Sequence, residues 1–239
     1  MHNYATESDA LVPLNRAEDT YRRLKEDLFN FRLLPGDHFS ENEIAARMEV
    51  SRTPVREALF RLQREGYVSV VPRMGWQVRP LDFEKFDQIY EVRILLEESS
   101  LQRLSRKDKV SSIGALMQTW CCPPDLRESN AKTVWMLDED FHAGLVASGG
   151  NPEIWRIHHD VMERLRIIRR LDFTKPERVS ATYEEHAAIL EQIHRGRIGE
   201  AQRLLRSHID ASRLEVRKIT LSMLYEARLE KVTPDRREQ

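Results

Sequence analysis

Four residues of this chain have the types and spacing to gather a metal ion: Asp138, His142, His186 and His208. Asp138 and His142 stand four apart in LDEDFHAGL (137–145), so on a helix they share one face and can converge on one ion. His186 lies in YEEHAAIL (183–190) among Ala187, Ile189, Leu190 and Ile193, on a largely inward face. His208, in RSHIDA (206–211), is close to Leu204, Leu205 and Ile209. Three imidazoles and one carboxylate suit a divalent transition metal, zinc first, with nickel or manganese also compatible. A second reading stays open at this point, because a histidine near an apolar face is commonly a hydrogen-bonded core residue. The remaining histidines carry less. His158 and His159 are adjacent, point to different faces and lack a partner at useful spacing; His194 suits a helix C-terminus, where a cation is favoured; His2 and His38 fall in flexible or loop segments.

The same donor set describes catalytic zinc, so a metal-dependent hydrolase is an alternative. That reading needs a general base beside the metal, and helical phase turns Glu139, Asp140 and Glu185 away from Asp138, His142 and His186. A metal that only holds the domain together is a third possibility.

The elements that must position these residues are helical. From Asp82 onward, periodicity marks helices near 82–104, 109–120, 131–148, 152–172, 176–195 and 199–230, with no strand or hairpin pattern. Pro123-Pro124, Gly149-Gly150-Asn151-Pro152, Lys175-Pro176, Gly196 and Gly199 punctuate them. Short links between six helices, or seven, imply an antiparallel bundle whose interior can hold a ligand or metal.

A second chemistry lies upstream, in Ser40 to Val78. Ser40 with Glu43 reads as a capping box opening a helix whose apolar positions Ile44, Ala45 and Met48 share a face. The turn Glu49-Val50-Ser51 follows, and Ser51 can cap a second helix with Pro54 in its first turn. Val55, Ala58, Leu59 and Leu62 form that helix's buried stripe, leaving Arg52, Thr53, Arg56 and Arg61 outside. Gly66 ends it, Tyr67–Val71 reads as a strand, and Arg73-Met74-Gly75 turns into a second strand, Trp76–Arg79. Helix, turn, helix and ribbon together predict a winged helix-turn-helix, which places one helix in the major groove of DNA. The fold class expected is therefore mainly α: an N-terminal winged helix-turn-helix plus a C-terminal all-α bundle. Net charge supports a polyanion partner only locally. The chain carries −1, whereas residues 47–79 hold seven arginines against three glutamates.

The wording SRTPVREALFRL (51–62), with LPGDHFSENEIAARMEV before it and REGYVSVVPRMGWQV after it, resembles the DNA-binding domain of the GntR family of bacterial transcription regulators. The resemblance spans about Leu14 to Pro80. It implies operator contacts from Arg52, Thr53 and Arg56, with Ser51, Pro54 and Arg61 on the same helix, Asn42 at the start of the first helix, and Arg73 and Gly75 in the wing. Many relatives carry a basic residue where Asn42 stands. Downstream, D-x-x-x-H before SGGNP (148–152), then EHxxIL, then a histidine 22 residues on, resembles the FCD effector domain of the FadR subfamily, from about Phe86 to Leu224. That resemblance makes Asp138, His142, His186 and His208 metal ligands. The helix segment YEVRILLE (90–97) resembles the family's opening helix, whose arginine, here Arg93, faces the effector; an ion pair with Glu97 is its other natural role. The extra glycine in SGGNP is a departure that bears on a helix start, and the six-helix count resembles the VanR-type branch.

The implied protein is a ligand-responsive transcription regulator, a repressor, acting as a homodimer on palindromic double-stranded operator DNA and sensing a small carboxylate effector. The expected domains are a flexible N-terminus (1–13), the DNA-binding domain (14–80), the effector and dimerisation domain (81–231) and a flexible tail (232–239). No apolar run approaches the roughly 18 residues of a membrane span, and MHNYATESDA is no signal peptide. Cys121 and Cys122 are adjacent, show no zinc-type spacing and read as free thiols before Pro123-Pro124. These features point to the cytoplasm and to no membrane partner.

Overall fold

The structure is a computed structural model that describes residues 16–104, 109–169 and 176–218. The expected flexible ends, His2 and the last helix's extension to 230 lie outside the described residues. Chain contacts divide the molecule into two compact units between Leu81 and Asp82.

In the first unit, α1 (Arg16–Phe29) packs Tyr21, Leu24 and Leu28 against α3 (Arg52–Glu65). Helix α2 (Glu41–Met48) opens with the expected capping box: Glu43 N donates to Ser40 Oγ at 3.2 Å, and Ser40 N donates to Glu43 Oε2 at 2.7 Å. It closes at Glu49, which takes a left-handed conformation and begins the turn into α3. Val55, Leu59 and Leu62 on α3 are fully buried, as their spacing predicts, each contributing about 1.5–3 kcal/mol of apolar burial. Gly66, at φ +89°, stops the helix.

The expected two-stranded ribbon has a third strand. Strands β2 (Val68–Val71) and β3 (Gly75–Val78) form the wing, and β1 (His38–Phe39) pairs with the other edge of β3, His38 opposite Gln77 and Phe39 opposite Trp76. His38 is therefore a strand residue rather than a loop one. Two residues are too short a run to show alternation, which is why β1 has no sequence signal. This third strand also explains Gly75: its φ is +88°, and a Cβ there would lie 2.8 Å from the Phe39 carbonyl oxygen. The glycine serves the sheet first.

The second unit holds, among the described residues, α4 (Phe83–Leu104), α5 (Lys109–Trp120), α6 (Ala131–Ser148), α7 (Pro152–Arg169), α8 (Pro176–His194) and α9 (Ile198–Arg217). Asp82 caps α4 by accepting from Lys85 N at 3.0 Å. Three-residue links return α7 onto α6 and α9 onto α8. In the first of these, Asn151 Oδ1 accepts from Glu153 N and Ile154 N, Gly150 takes φ +68°, and the extra Gly149 packs its Cα side against Ser100 of α4, where an added Cβ would meet backbone at 3.0 Å. The SGGNP departure thus seats α6 on α4 and leaves the helix carrying Asp138 and His142 intact. Helix α4 lies against α6, α7 and α9, so its buried stripe faces the middle of the bundle. That stripe includes two charged residues, Arg93 and Glu97.

Candidate metal centre and DNA-contact surface

Three helices deliver the quartet. Asp138 and His142 come from α6, His186 from α8 and His208 from α9, all buried. One ligand atom from each lies within 4.8 Å of all the others. Asp138 Oδ1 is 3.4 Å from His186 Nε2, 3.7 Å from His142 Nε2 and 3.9 Å from His208 Nε2. His208 Nε2 is 3.2 Å from His142 Nε2 and 3.3 Å from His186 Nε2.

Three of the four, His142, His208 and Asp138, are aimed by a hydrogen-bond partner on the far side. His142 Nδ1 meets Glu97 Oε2 at 2.7 Å, and His208 Nδ1 meets Glu185 Oε2 at 2.6 Å. A carboxylate only accepts, so both Nδ1 atoms carry the proton, the 2.6 Å Glu185 contact prevailing over Arg178 Nη2 at 3.3 Å from the same His208 atom, and both Nε2 atoms present lone pairs to the centre. The Asp138 Oδ2 atom accepts from Arg169 Nη2, which leaves Oδ1 for the quartet. The His186 ring is set by aromatic faces instead, stacked on Phe141 at 3.6 Å between centroids and edged by Trp120 at 4.2 Å. Two imidazole lone pairs facing each other at 3.2 Å repel unless a cation lies between them. The donor set and its orientation thus fit a divalent metal of the zinc type.

The electrostatics agree. Burial pushes the imidazolium forms of His186 and His208 far down, and the crowding of neighbouring rings and cations adds to it. Burial alone would raise Asp138, yet Arg169 and the surrounding imidazoles hold its carboxyl well below the usual range. Glu97 behaves alike: burial is outweighed by His142 and Arg93. At neutral pH His186 and His208 are thus neutral and Asp138 ionised, the forms that bind metal.

On the first unit, Arg52, Thr53 and Arg56 stand exposed at the start of α3, together with Asn42 on α2. Arg52 Nη2 donates to Glu41 Oε2 at 2.9 Å, and Arg56 donates to the same carboxylate through Nε and Nη2. Those contacts, Arg56 first, draw Glu41 down to about 2. Arg73 stands exposed at the wing tip beside Met74.

Residues 16–78 match the model of bacterial regulatory proteins of the gntR family, and residues 88–211 match the FCD domain, more than half of the chain. The Nta operon transcriptional regulator of Aminobacter aminovorans is 31% identical over 76% of this chain and 84% of its own length. The chain belongs to the GntR family. It is a transcriptional regulator with a GntR DNA-binding domain and an FCD domain, and not an enzyme. An HTH-type transcriptional regulator in an unstable DNA locus of Streptomyces ambofaciens is 30% identical over 81% of each chain. A GntR transcriptional regulator from Rhodococcus sp. RHA1 shares the fold, with a TM-score of 0.65 at 19% identity over 86% of this chain and 99% of that one.

Within this GntR-family chain several residues fall differently from their sequence reading. Arg61 does not join Arg52 and Arg56. It pairs with Glu18 and Glu65 and lies over the Tyr21 ring at 3.6 Å, on the side of α3 that faces α1. Pro54 is buried beneath the start of α3, so it shapes that helix and offers no surface contact. Ser51 occupies the N-cap position with extended backbone, but its side chain makes no capping bond. Glu185, expected to turn away from Asp138, His142 and His186, meets instead His208, which α9 brings over to α8. Its carboxylate is shared with Arg178, 3.0 Å away.

His158 is the residue most misjudged. It is buried, and its Nε2 meets Glu97 Oε1 at 3.0 Å. Its partner is 61 residues away, beyond any spacing rule. The available signal was its place on the apolar stripe of α7, with Val161, Met162, Leu165 and Arg169. Arg169 sits on the same stripe. Both of Arg93's natural roles remain compatible: Nε donates to Glu97 at 2.7 Å, while Nη1 and Nη2 are buried without a protein partner. Cys121 and Cys122 are free thiols at the end of α5. Among the described residues, no helix is long and apolar enough to cross a membrane.

Proposed function

We propose that this regulator is a homodimeric repressor of the cytoplasm whose FCD domain binds a divalent transition metal and, on it, a small carboxylate effector. The observation that carries the sensing half is the convergence of three Nε2 atoms and Asp138 Oδ1, with His142, His208 and Asp138 aimed by hydrogen-bond partners outside the quartet and His186 by ring packing. When bound, the metal supplies a Lewis-acid anchor for a carboxylate oxygen. Arg93, buried on α4 with two free Nη groups, is placed to meet an anion. In the DNA-binding half, Arg52, Thr53 and Arg56 on the exposed start of α3 would read bases and phosphates in the major groove. Asn42 and Ser51 would contact the backbone beside it, and Arg73, near Gly75, would reach it from the wing. Two-fold symmetry of a homodimer demands a palindromic operator. Effector binding would shift the population between arrangements of the DNA-binding domains, and a coupling of about 1–3 kcal/mol, roughly 5–150-fold in DNA affinity, suffices.

The test is fluorescence anisotropy with DNA from upstream of the protein's own gene, at fixed salt, with metal content measured in parallel. Arg52→Ala with Arg56→Ala abolishes specific binding, and His186→Ala loses the metal. Metal removal that unfolds the bundle, together with DNA affinity that no organic acid alters, would assign the metal a purely structural role.

A further inference from the structure

We propose that the effector completing this centre is a small dianion, a dicarboxylate held between the metal on the quartet and the buried guanidiniums of Arg93 and Arg169. The inference rests on the reading of the quartet as a metal site and narrows its ligand.

The first argument is a balance of charge. Four side chains of charged type in the second unit are fully buried among the described residues: Arg93, Arg169, Glu97 and Asp138. They cancel in pairs, Arg93 on Glu97 and Arg169 on Asp138. Outside these, in partly exposed positions, Arg178 pairs with Glu185 and Arg166 with both Glu139 and Glu163. The buried histidines are bound neutral when they serve as ligands. The fully buried side chains therefore sum to zero before any ion binds, and a divalent cation leaves an excess of two positive charges among them. An uncompensated charge at such depth is strongly disfavoured. The partner that restores neutrality brings two negative charges.

The second argument is independent and concerns donors. Arg93 Nη1 and Nη2 and Arg169 Nε and Nη1 are buried with no protein partner. Arginine cannot discharge itself, so these donors require an acceptor. The two guanidiniums border the same region. Arg169 lies within electrostatic reach of Glu97 and Tyr90, and Arg93 holds Glu97 while its Cζ lies 5.9 Å from the Tyr90 ring. A monocarboxylate plus a metal-bound hydroxide would satisfy the charge but would leave these planar forks without a partner. A second carboxylate satisfies both, since the fork matches its two oxygens.

The experiment uses full-length protein loaded with zinc, its content measured by mass spectrometry. Calorimetry then compares the dicarboxylates malonate through pimelate, malate and phthalate with acetate, butyrate, lactate and benzoate. At least one dicarboxylate is expected to bind about 10- to 100-fold more tightly than its monocarboxylate counterpart, the effect of one charge-assisted contact. Arg93→Lys, which keeps the charge and loses the fork, is expected to reduce that preference while zinc content stays whole; Arg169→Lys serves as the second variant should the first fail to fold. Zinc-loaded protein that binds monocarboxylates as tightly, or no dicarboxylate at all, overturns the proposal and leaves the metal reading standing. Protein that takes up no zinc overturns both.

Discussion

Glu185 Oε2 lies 2.6 Å from His208 Nδ1, joining a surface-edge carboxylate of α8 to a buried ring of α9. The contact fixes which ring nitrogen carries the proton, and so which one faces Asp138. The proposed ligand atom of His208 is thus oriented by a residue outside the quartet.

Glu185→Gln is therefore expected to weaken zinc binding about 10- to 100-fold while leaving helical content unchanged. Competition with a chromogenic chelator measures the affinity. Equal affinity in the variant would show that His208 keeps its tautomer without Glu185.

Glu41 clamps both arginines proposed to contact the operator. Glu41→Gln frees them, and binding to non-specific duplex at low salt is expected to rise about 2- to 5-fold, the scale of an exposed ion pair. Anisotropy across a salt series checks this, and unchanged or weaker binding would indicate that Glu41 instead presents the arginines to DNA.

The same carboxylate gives a pH signature. Its value is drawn from 4.5 to about 2 in the folded chain by Arg56 and Arg52. A depressed acid stabilises the fold fully above the unfolded value and loses that contribution as pH falls through the folded one. Wild type should thus exceed Glu41→Gln in stability above about pH 4.5 and converge with it toward pH 2. Parallel curves throughout that window in acid unfolding would remove the pair from the stability account.

Arg61 faces Tyr21, Glu18 and Glu65. Arg61→Ala is expected to cost about 1 kcal/mol of stability, with operator affinity unchanged within about twofold. Urea unfolding and anisotropy separate the two effects. A large loss of DNA binding at full stability would restore Arg61 to the recognition surface.

Gly75→Ala should destabilise the wing by about 1–3 kcal/mol, since the residue holds φ +88° against the Phe39 carbonyl. Proteolysis of the Arg73–Met74 tip reports local opening. A neutral substitution would mean that β1 readily leaves the sheet edge.

What the sequence determined by itself is everything carried by local periodicity and capping. The Ser40–Glu43 box, the stripe Val55, Ala58, Leu59 and Leu62, the stop at Gly66 and the helices of the second unit follow from neighbours within one or two turns. Asp138 and His142 are legible as a pair for the same reason, whereas His186 and His208, 22 residues apart on separate helices, join them through resemblance to the FCD domain. Tertiary structure decided what crosses between elements. Glu185 on His208, His158 on Glu97, Arg169 on Asp138 and Glu41 on Arg56 join residues whose pairing depends on helix packing or on a turn. Strand β1 is of this kind too, formed because β3 offers an edge. A chain encodes such contacts only through the packing of its apolar faces, so they become visible once those faces have met.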